Sequence, residues 1–151
     1  MAPGQVEILM IEDNPNDAEL AMYALQKNRL ANHIVVLRDG AEALDYLFER
    51  SGRDGDDVAE SPKLILLDLK LPKIDGIDVL RRLKEDARTR SIPVVMLTSS
   101  REERDIAKSY QLGVNSYIVK PVDFDQFTKA VQEIGLYWLL LNEQPHPRRG
   151  G

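Results

Sequence analysis

Apolar runs of strand length alternate with helix-period patterns five times along this chain. The runs are Val6–Ile11, Ile34–Leu37, Lys63–Leu67, Val94–Leu97 and Tyr117–Val119. Each is apolar almost throughout, which is how strands read when helices cover both faces of a parallel sheet. The alternation predicts an α/β fold: a doubly wound, five-stranded parallel sheet with helices on both faces.

Helix signals fill the gaps. Asn14 before Pro15 reads as an N-cap with proline at the first helical position, followed by an Ala18, Met22 and Leu25 face. Asp39-Gly40-Ala41-Glu42 and Ser100-Arg101-Glu102-Glu103 have capping-box spacing. Ile77, Leu80 and Leu83 repeat at three after Asp75-Gly76, which reads as a turn and cap. Asp123 caps a last helix whose stripe is Phe127, Val131, Ile134, Trp138 and Leu141. The polar, glycine-containing stretch 51–62 predicts a mobile loop, and 142–151 a flexible tail. The whole chain, 1–151, reads as one domain with its core over about 6–141.

The strand ends carry the chemistry. Glu12-Asp13 follow the first run, Asp68 the third, Thr98 the fourth and Lys120 the fifth. In a parallel sheet these positions share the carboxyl edge, where open α/β folds place their sites. Three carboxylates around one point suit Mg²⁺, which takes oxygen ligands and commonly one or two carboxylates. Glu12-Asp13 could equally cap the next helix, and Asp68 could sit in a buried salt bridge. Lys120, fixed in direction by Pro121, suits a phosphoryl oxygen, although most lysines simply lie on the surface. Thr98 alone is an ordinary strand residue.

Composition narrows the class. Apolar residues are 43% and charged residues 30%, as in ordinary globular proteins. With 20 Lys and Arg against 25 Asp and Glu, the net charge is −5, which argues against nucleic acid as the main ligand. No cysteine is present, which excludes thiolate chemistry and fits a reducing, cytoplasmic setting. No signal-peptide pattern is evident, and no apolar stretch approaches the roughly 20 residues that span a bilayer, so no membrane role is expected.

Four stretches together resemble the receiver domain of two-component response regulators, a flavodoxin-like fold. They are Ile11-Glu12-Asp13-Asn14, Leu66 to Gly76, Pro93 to Thr98, and Tyr117-Ile118-Val119-Lys120-Pro121. The resemblance runs from about Val6 to about Leu141. It implies that Asp68 accepts a phosphoryl group from the phosphohistidine of a sensor histidine kinase. It further implies that Mg²⁺ is held by Asp13, Asp68 and the main-chain carbonyl of Lys70, with Glu12 acting through water. Thr98 and Lys120 would bind phosphoryl oxygens, Tyr117 would be an aromatic switch, and Pro121 a structural turn. Such a domain is a phosphoacceptor, not an enzyme, slow self-dephosphorylation aside. The residues after Gly135 and the 51–62 loop resemble small, stand-alone regulators that partner phytochrome-type kinases.

Three other functions fit the fold. A flavodoxin-like cofactor binder would need a phosphate loop of small residues where Glu12-Asp13-Asn14-Pro15 stands. An aspartyl-intermediate phosphatase would carry a second acid where Lys70 lies. A phosphorylation-independent adaptor is the remaining alternative, disfavoured by the intact acidic set. Finally, Leu136, Tyr137, Leu139 and Leu140 lie off the last helix's stripe, so that helix is apolar nearly all round. This predicts a homodimer with Leu136, Tyr137 and Leu140 at its interface.

Overall fold

The computed structural model describes residues 7–27, 33–50 and 61–136. In chain order the elements are β1 (Ile8–Ile11), α1 (Pro15–Lys27), β2 (Ile34–Leu37) and α2 (Gly40–Leu44), which runs on as a π-helical stretch over Asp45–Arg50. Then come β3 (Leu64–Asp68), α3 (Gly76–Glu85), β4 (Val94–Thr98), α4 (Arg101–Ser109), β5 (Ser116–Val119) and α5 (Phe124–Glu133). All strand pairs are parallel, in the order β2-β1-β3-β4-β5. The doubly wound, five-stranded sheet expected from the sequence is therefore present.

That order reverses direction once. The chain steps outward from β1 to β2, then crosses back to β3 on the other side of β1. The crevice at such a reversal, outside the carboxyl ends of β1 and β3, is where open α/β sheets bind ligands. β3 and β4 run one residue beyond their expected ends. Asp68, opposite Leu97, and Thr98, opposite Val119, are thus the last paired residues of their strands.

Period-two alternation splits the strand side chains between two cores. Met10, Leu66, Leu97 and Ile118 face Ala21 and Leu25 of α1 and Phe127 of α5. Leu9, Leu67 and Met96 face Leu44 of α2, Leu80 of α3 and Ala107 of α4. Nearly all of these are fully buried. Burying a single leucine-sized side chain contributes about 1.5–3 kcal/mol, so the two cores hold the sheet edge in a fixed geometry.

Caps set where each helix starts. The Asn14 side-chain oxygen accepts from the N–H groups of Asn16 and Asp17, at 2.9 and 3.1 Å. Asp39 accepts from Glu42 N–H at 2.8 Å, Ser100 from Glu103 at 3.1 Å, and Asp123 from Gln126 at 2.8 Å. The last helix departs from expectation. It was expected to carry its stripe through Leu141, but it ends at Glu133. Gly135 takes a φ of +81°, its N–H donates to the Gln132 carbonyl, and the Leu136 N–H reaches back to Val131 at 2.9 Å. This pair of bonds is a Schellman motif, and it closes the helix because a left-handed residue cannot continue it. Leu136 folds back onto the first core. Tyr137, Leu140 and the rest of the C-terminal segment lie outside the described residues, as does the 51–62 loop apart from Ser61 and Pro62.

One glycine sits directly against the site. Gly76 opens α3, its N–H bonded to the Leu69 carbonyl at 3.1 Å and to Asp75 at 2.9 Å. A β-carbon there would collide with the main-chain carbonyl of Asp68 and lie 2.6 Å from that of Leu69. Both obstacles are backbone in a buried strand end and cannot give way. Gly76→Ala is expected to destabilise the protein by about 1–3 kcal/mol, the cost of overpacking a tight site. Urea denaturation checks this; a midpoint equal to wild type would mean the loop is slack.

Candidate functional site

The carboxyl ends of β1 and β3 bring three acids together. Ligand oxygens of Glu12, Asp13 and Asp68 lie within 4.8 Å of one another. Glu12 and Asp68 are buried, and Asp13 is exposed at the mouth. Backbone bonds fix the placement: the Glu12 N–H donates to the Leu37 carbonyl at 2.9 Å, and the Lys70 N–H donates to Asp68 Oδ1 at 3.3 Å. Glu12 also accepts from Asn14 N–H at 3.1 Å, but Asn14 is the cap of α1. Helix capping therefore does not account for the Glu12-Asp13 pair.

Lys120 enters this cluster from β5. Its Nζ lies 3.1 Å from Glu12 Oε1, 3.0 Å from Asp17 Oδ2 and 3.1 Å from Asp68 Oδ2. Its main-chain N–H donates to the Thr98 carbonyl at 2.7 Å, and the peptide bond to Pro121 is cis. The strand end is clamped by Gln126 of α5. Gln126 Oε1 accepts from Val119 N–H at 3.0 Å, while its Nε2 donates to the carbonyls of Val119 and Pro121 at 2.8 and 3.1 Å. Lys120 is thus a nearly buried ammonium with a rigid root, not a surface lysine.

Not every residue singled out in the sequence joins the cluster. The buried Thr98 hydroxyl donates to the Ile118 carbonyl at 3.5 Å, on the β5 side. The Tyr117 ring is half-buried against the second core, with Lys108 Nζ 5.6 Å from its centre. The Lys70 ammonium extends outward to Glu103, at 3.2 Å, which does not bear on the main-chain carbonyl expected to face the site. Asp17 and Gln126 were not singled out from the sequence. A carboxylate in the first turn of α1, facing the same edge as Glu12, was the available signal for Asp17. Gln126 stands at capping-box spacing from Asp123, which concealed its second task.

The charges do not balance. Four carboxylates surround one ammonium, and three of them contact it. Burial, reinforced by the neighbouring Asp68 carboxylate, pushes Glu12 up to about 7 against the pull of the Asn14 N–H and Lys120. Burial also raises Asp68, opposed by Glu12 and Lys120. For Lys120, burial favours the neutral form, but Asp17, Asp68 and Glu12 outweigh it and the ammonium is held more firmly than usual. Two close buried carboxylates beside a single cation resist ionising together, so the pair holds a proton more readily than an isolated acid does. All-oxygen donors with surplus negative charge are what a hard divalent cation requires, so the residues fit Mg²⁺.

A family model described as the response regulator receiver domain matches residues 8–132. The probable methanogenesis regulatory protein FilR2 of Methanothrix harundinacea is 44% identical over 142 residues, 93% of this chain and 88% of that protein. Response regulator Rcp1 of Synechocystis is 38% identical over 132 residues, 87% of this chain and 88% of that protein. Its Mn²⁺-bound structure superposes with a TM-score of 0.64, covering 89% of this chain and 94% of that one at 38% identity. The structure of the bacteriophytochrome response regulator AtBRR, 55% identical, superposes with a TM-score of 0.81 over 93% of this chain and 100% of that one.

The raised Glu12 carboxyl makes a stability prediction for the chelator-treated protein. Between about pH 4.5 and about pH 7 the folded state holds a proton that the unfolded chain releases, so stability falls as pH rises through this window. The loss is on the order of 2–3 kcal/mol, and Glu12→Gln is expected to remove most of it. Urea denaturation across the window measures both proteins. Parallel pH profiles for the two would contradict the assignment.

Proposed function

We propose, because this chain belongs to the response regulator receiver domain family, that Asp68 is a phosphoacceptor for the phosphohistidine of a sensor histidine kinase. The family's domains are phosphoacceptors and signalling switches rather than classical enzymes. Among its relatives the chain is close to phytochrome response regulators. The observation that carries the reading is the Lys120 ammonium 3.1 Å from an Asp68 oxygen, beside three clustered carboxylates.

In this reading an Asp68 oxygen attacks phosphorus. An O–P bond forms, the N–P bond to the kinase histidine breaks, and the imidazole leaves and regains its proton from solvent. Glu12, Asp13, Asp68 and the Lys70 carbonyl would hold Mg²⁺, with Glu12 acting through water, and the ion supplies charge neutralisation at the phosphoryl oxygens. Lys120 donates to a phosphoryl oxygen from its clamped position. The added charge, roughly −1.5 to −2, draws the Thr98 hydroxyl away from Ile118 toward the phosphoryl group. The Tyr117 ring then follows into the space vacated, carrying the signal to the α4–β5 surface.

The kinase is phytochrome-type, by similarity to AtBRR, and the protein works in the cytoplasm. Among the described residues no helix is long and apolar enough to cross a membrane. The apolar sequence beyond Leu136, which itself packs on the first core, supports a homodimer through Tyr137 and Leu140. Nucleic acid is not a ligand of this acidic domain.

Phosphoryl transfer is tested with a small phosphodonor or phosphorylated cognate kinase in the presence of Mg²⁺. Mass spectrometry is expected to find one acid-stable, base-labile acyl phosphate on Asp68. Chelation of the metal should abolish it, as should Asp68→Asn. Equal labelling of Asp68→Asn would overturn the reading.

A further inference from the structure

We infer that Asp17 is a positioning residue that keeps the Lys120 ammonium at Asp68 while the other partners of that ammonium change; the inference rests on Asp68 being the phosphoacceptor. A lysine ammonium has three N–H donors and no acceptor. Here three carboxylates take all three: Asp17 at 3.0 Å, and Glu12 and Asp68 at 3.1 Å each. These acceptors are not equivalent. The Glu12 and Asp68 side chains are 1% and 5% exposed and belong to the trio of clustered oxygens that fits a cation. Asp17 is 31% exposed and stands outside that trio.

The difference decides what each bond can do. A cation entering the trio competes with Lys120 for Glu12 and Asp68, and a phosphoryl group on Asp68 moves the negative charge that Lys120 faces there from the carboxylate to the phosphoryl oxygens. The Asp17 bond is contested by neither event. Its root is also stiff, because Asp17 lies in the first turn of α1 with its N–H held by Asn14 Oδ1 at 3.1 Å, two residues after Pro15. The lysine stem is long and flexible, and a misplaced charge at a reacting centre is costly in rate. Asp17 therefore supplies a constant anchor where the two buried acids supply exchangeable ones.

Asp17→Asn keeps the shape of the side chain and removes the charge. Glu19→Gln, an exposed position on the same helix, removes the same charge without touching Lys120 and reports any long-range effect. Both are compared with wild type in two experiments. The first is labelling by acetyl phosphate at saturating Mg²⁺, separated into maximal rate and half-saturating donor concentration. The second is the Lys120 ammonium resonance of the metal-free protein by proton–nitrogen correlation. Asp17→Asn is expected to lose about tenfold in maximal rate with a shifted or exchange-broadened Lys120 signal, while Glu19→Gln stays within about twofold and leaves the signal in place. If Asp17→Asn tracks Glu19→Gln in rate, or slows without any change at Lys120, Asp17 has no positioning role. No label on Asp68 in wild type would instead strike the phosphoacceptor reading, and the Lys120 resonance would still decide whether Asp17 anchors the ammonium.

Discussion

One ammonium set among buried carboxylates organises this molecule. Lys120 reaches from β5 across the sheet edge to Glu12 after β1, Asp68 at the end of β3 and Asp17 on α1, with every N–O distance near 3 Å. In a medium of low effective dielectric these contacts are strong, but removing the acids from water is costly too, and attraction to a single cation does not compensate four clustered acids. The raised Glu12 and Asp68 carboxyls express that deficit. The site is therefore held together by Lys120 and left short of positive charge by the same arrangement. A divalent cation fits that deficit.

The rest of the fold keeps this frustrated arrangement from relaxing. Five parallel strands in register bring the ends of β1, β3, β4 and β5 to one edge, and two apolar cores lock the sheet from both sides. Gln126 clamps the root of Lys120 with three hydrogen bonds. Gly76 lets α3 start against the main chain of Asp68 and Leu69 without displacing either. Glu103, capping α4 at Ser99 N–H and paired with Lys70, ties the loop after Asp68 to the loop after Thr98. These contacts join the end of β3 to the start of α4.

Much of this was legible in the sequence, and for a physical reason. Continuous apolar runs announce strands buried on both faces, and chemically loaded residues at their ends can only meet if the sheet is parallel. Hence Glu12, Asp13, Asp68 and Lys120 could be brought to one point before any coordinates. Side-chain direction was not legible. Thr98 sits at the right strand end, yet its hydroxyl turns to Ile118, and Asp17 meets Lys120 through a helix orientation that periodicity does not specify. The apolar stripe of α5 ran on past Gly135 in sequence, whereas the left-handed backbone at that glycine ends the helix. Local geometry overrode period. The π-helical stretch after Leu44 likewise had no signal in the residue pattern.

If one ammonium and one divalent cation serve the same surplus of negative charge, each should matter more when the other is missing. The direct test is the Mg²⁺-induced rise in melting temperature, measured by calorimetry in chelator and in millimolar Mg²⁺, for wild type and Lys120→Met. Ligand stabilisation grows with affinity for the folded state. The account predicts that Lys120→Met melts lower than wild type in chelator and gains more from Mg²⁺ than wild type does. An equal or smaller gain in Lys120→Met would show that the ammonium and the cation do not share the cluster, and would contradict it.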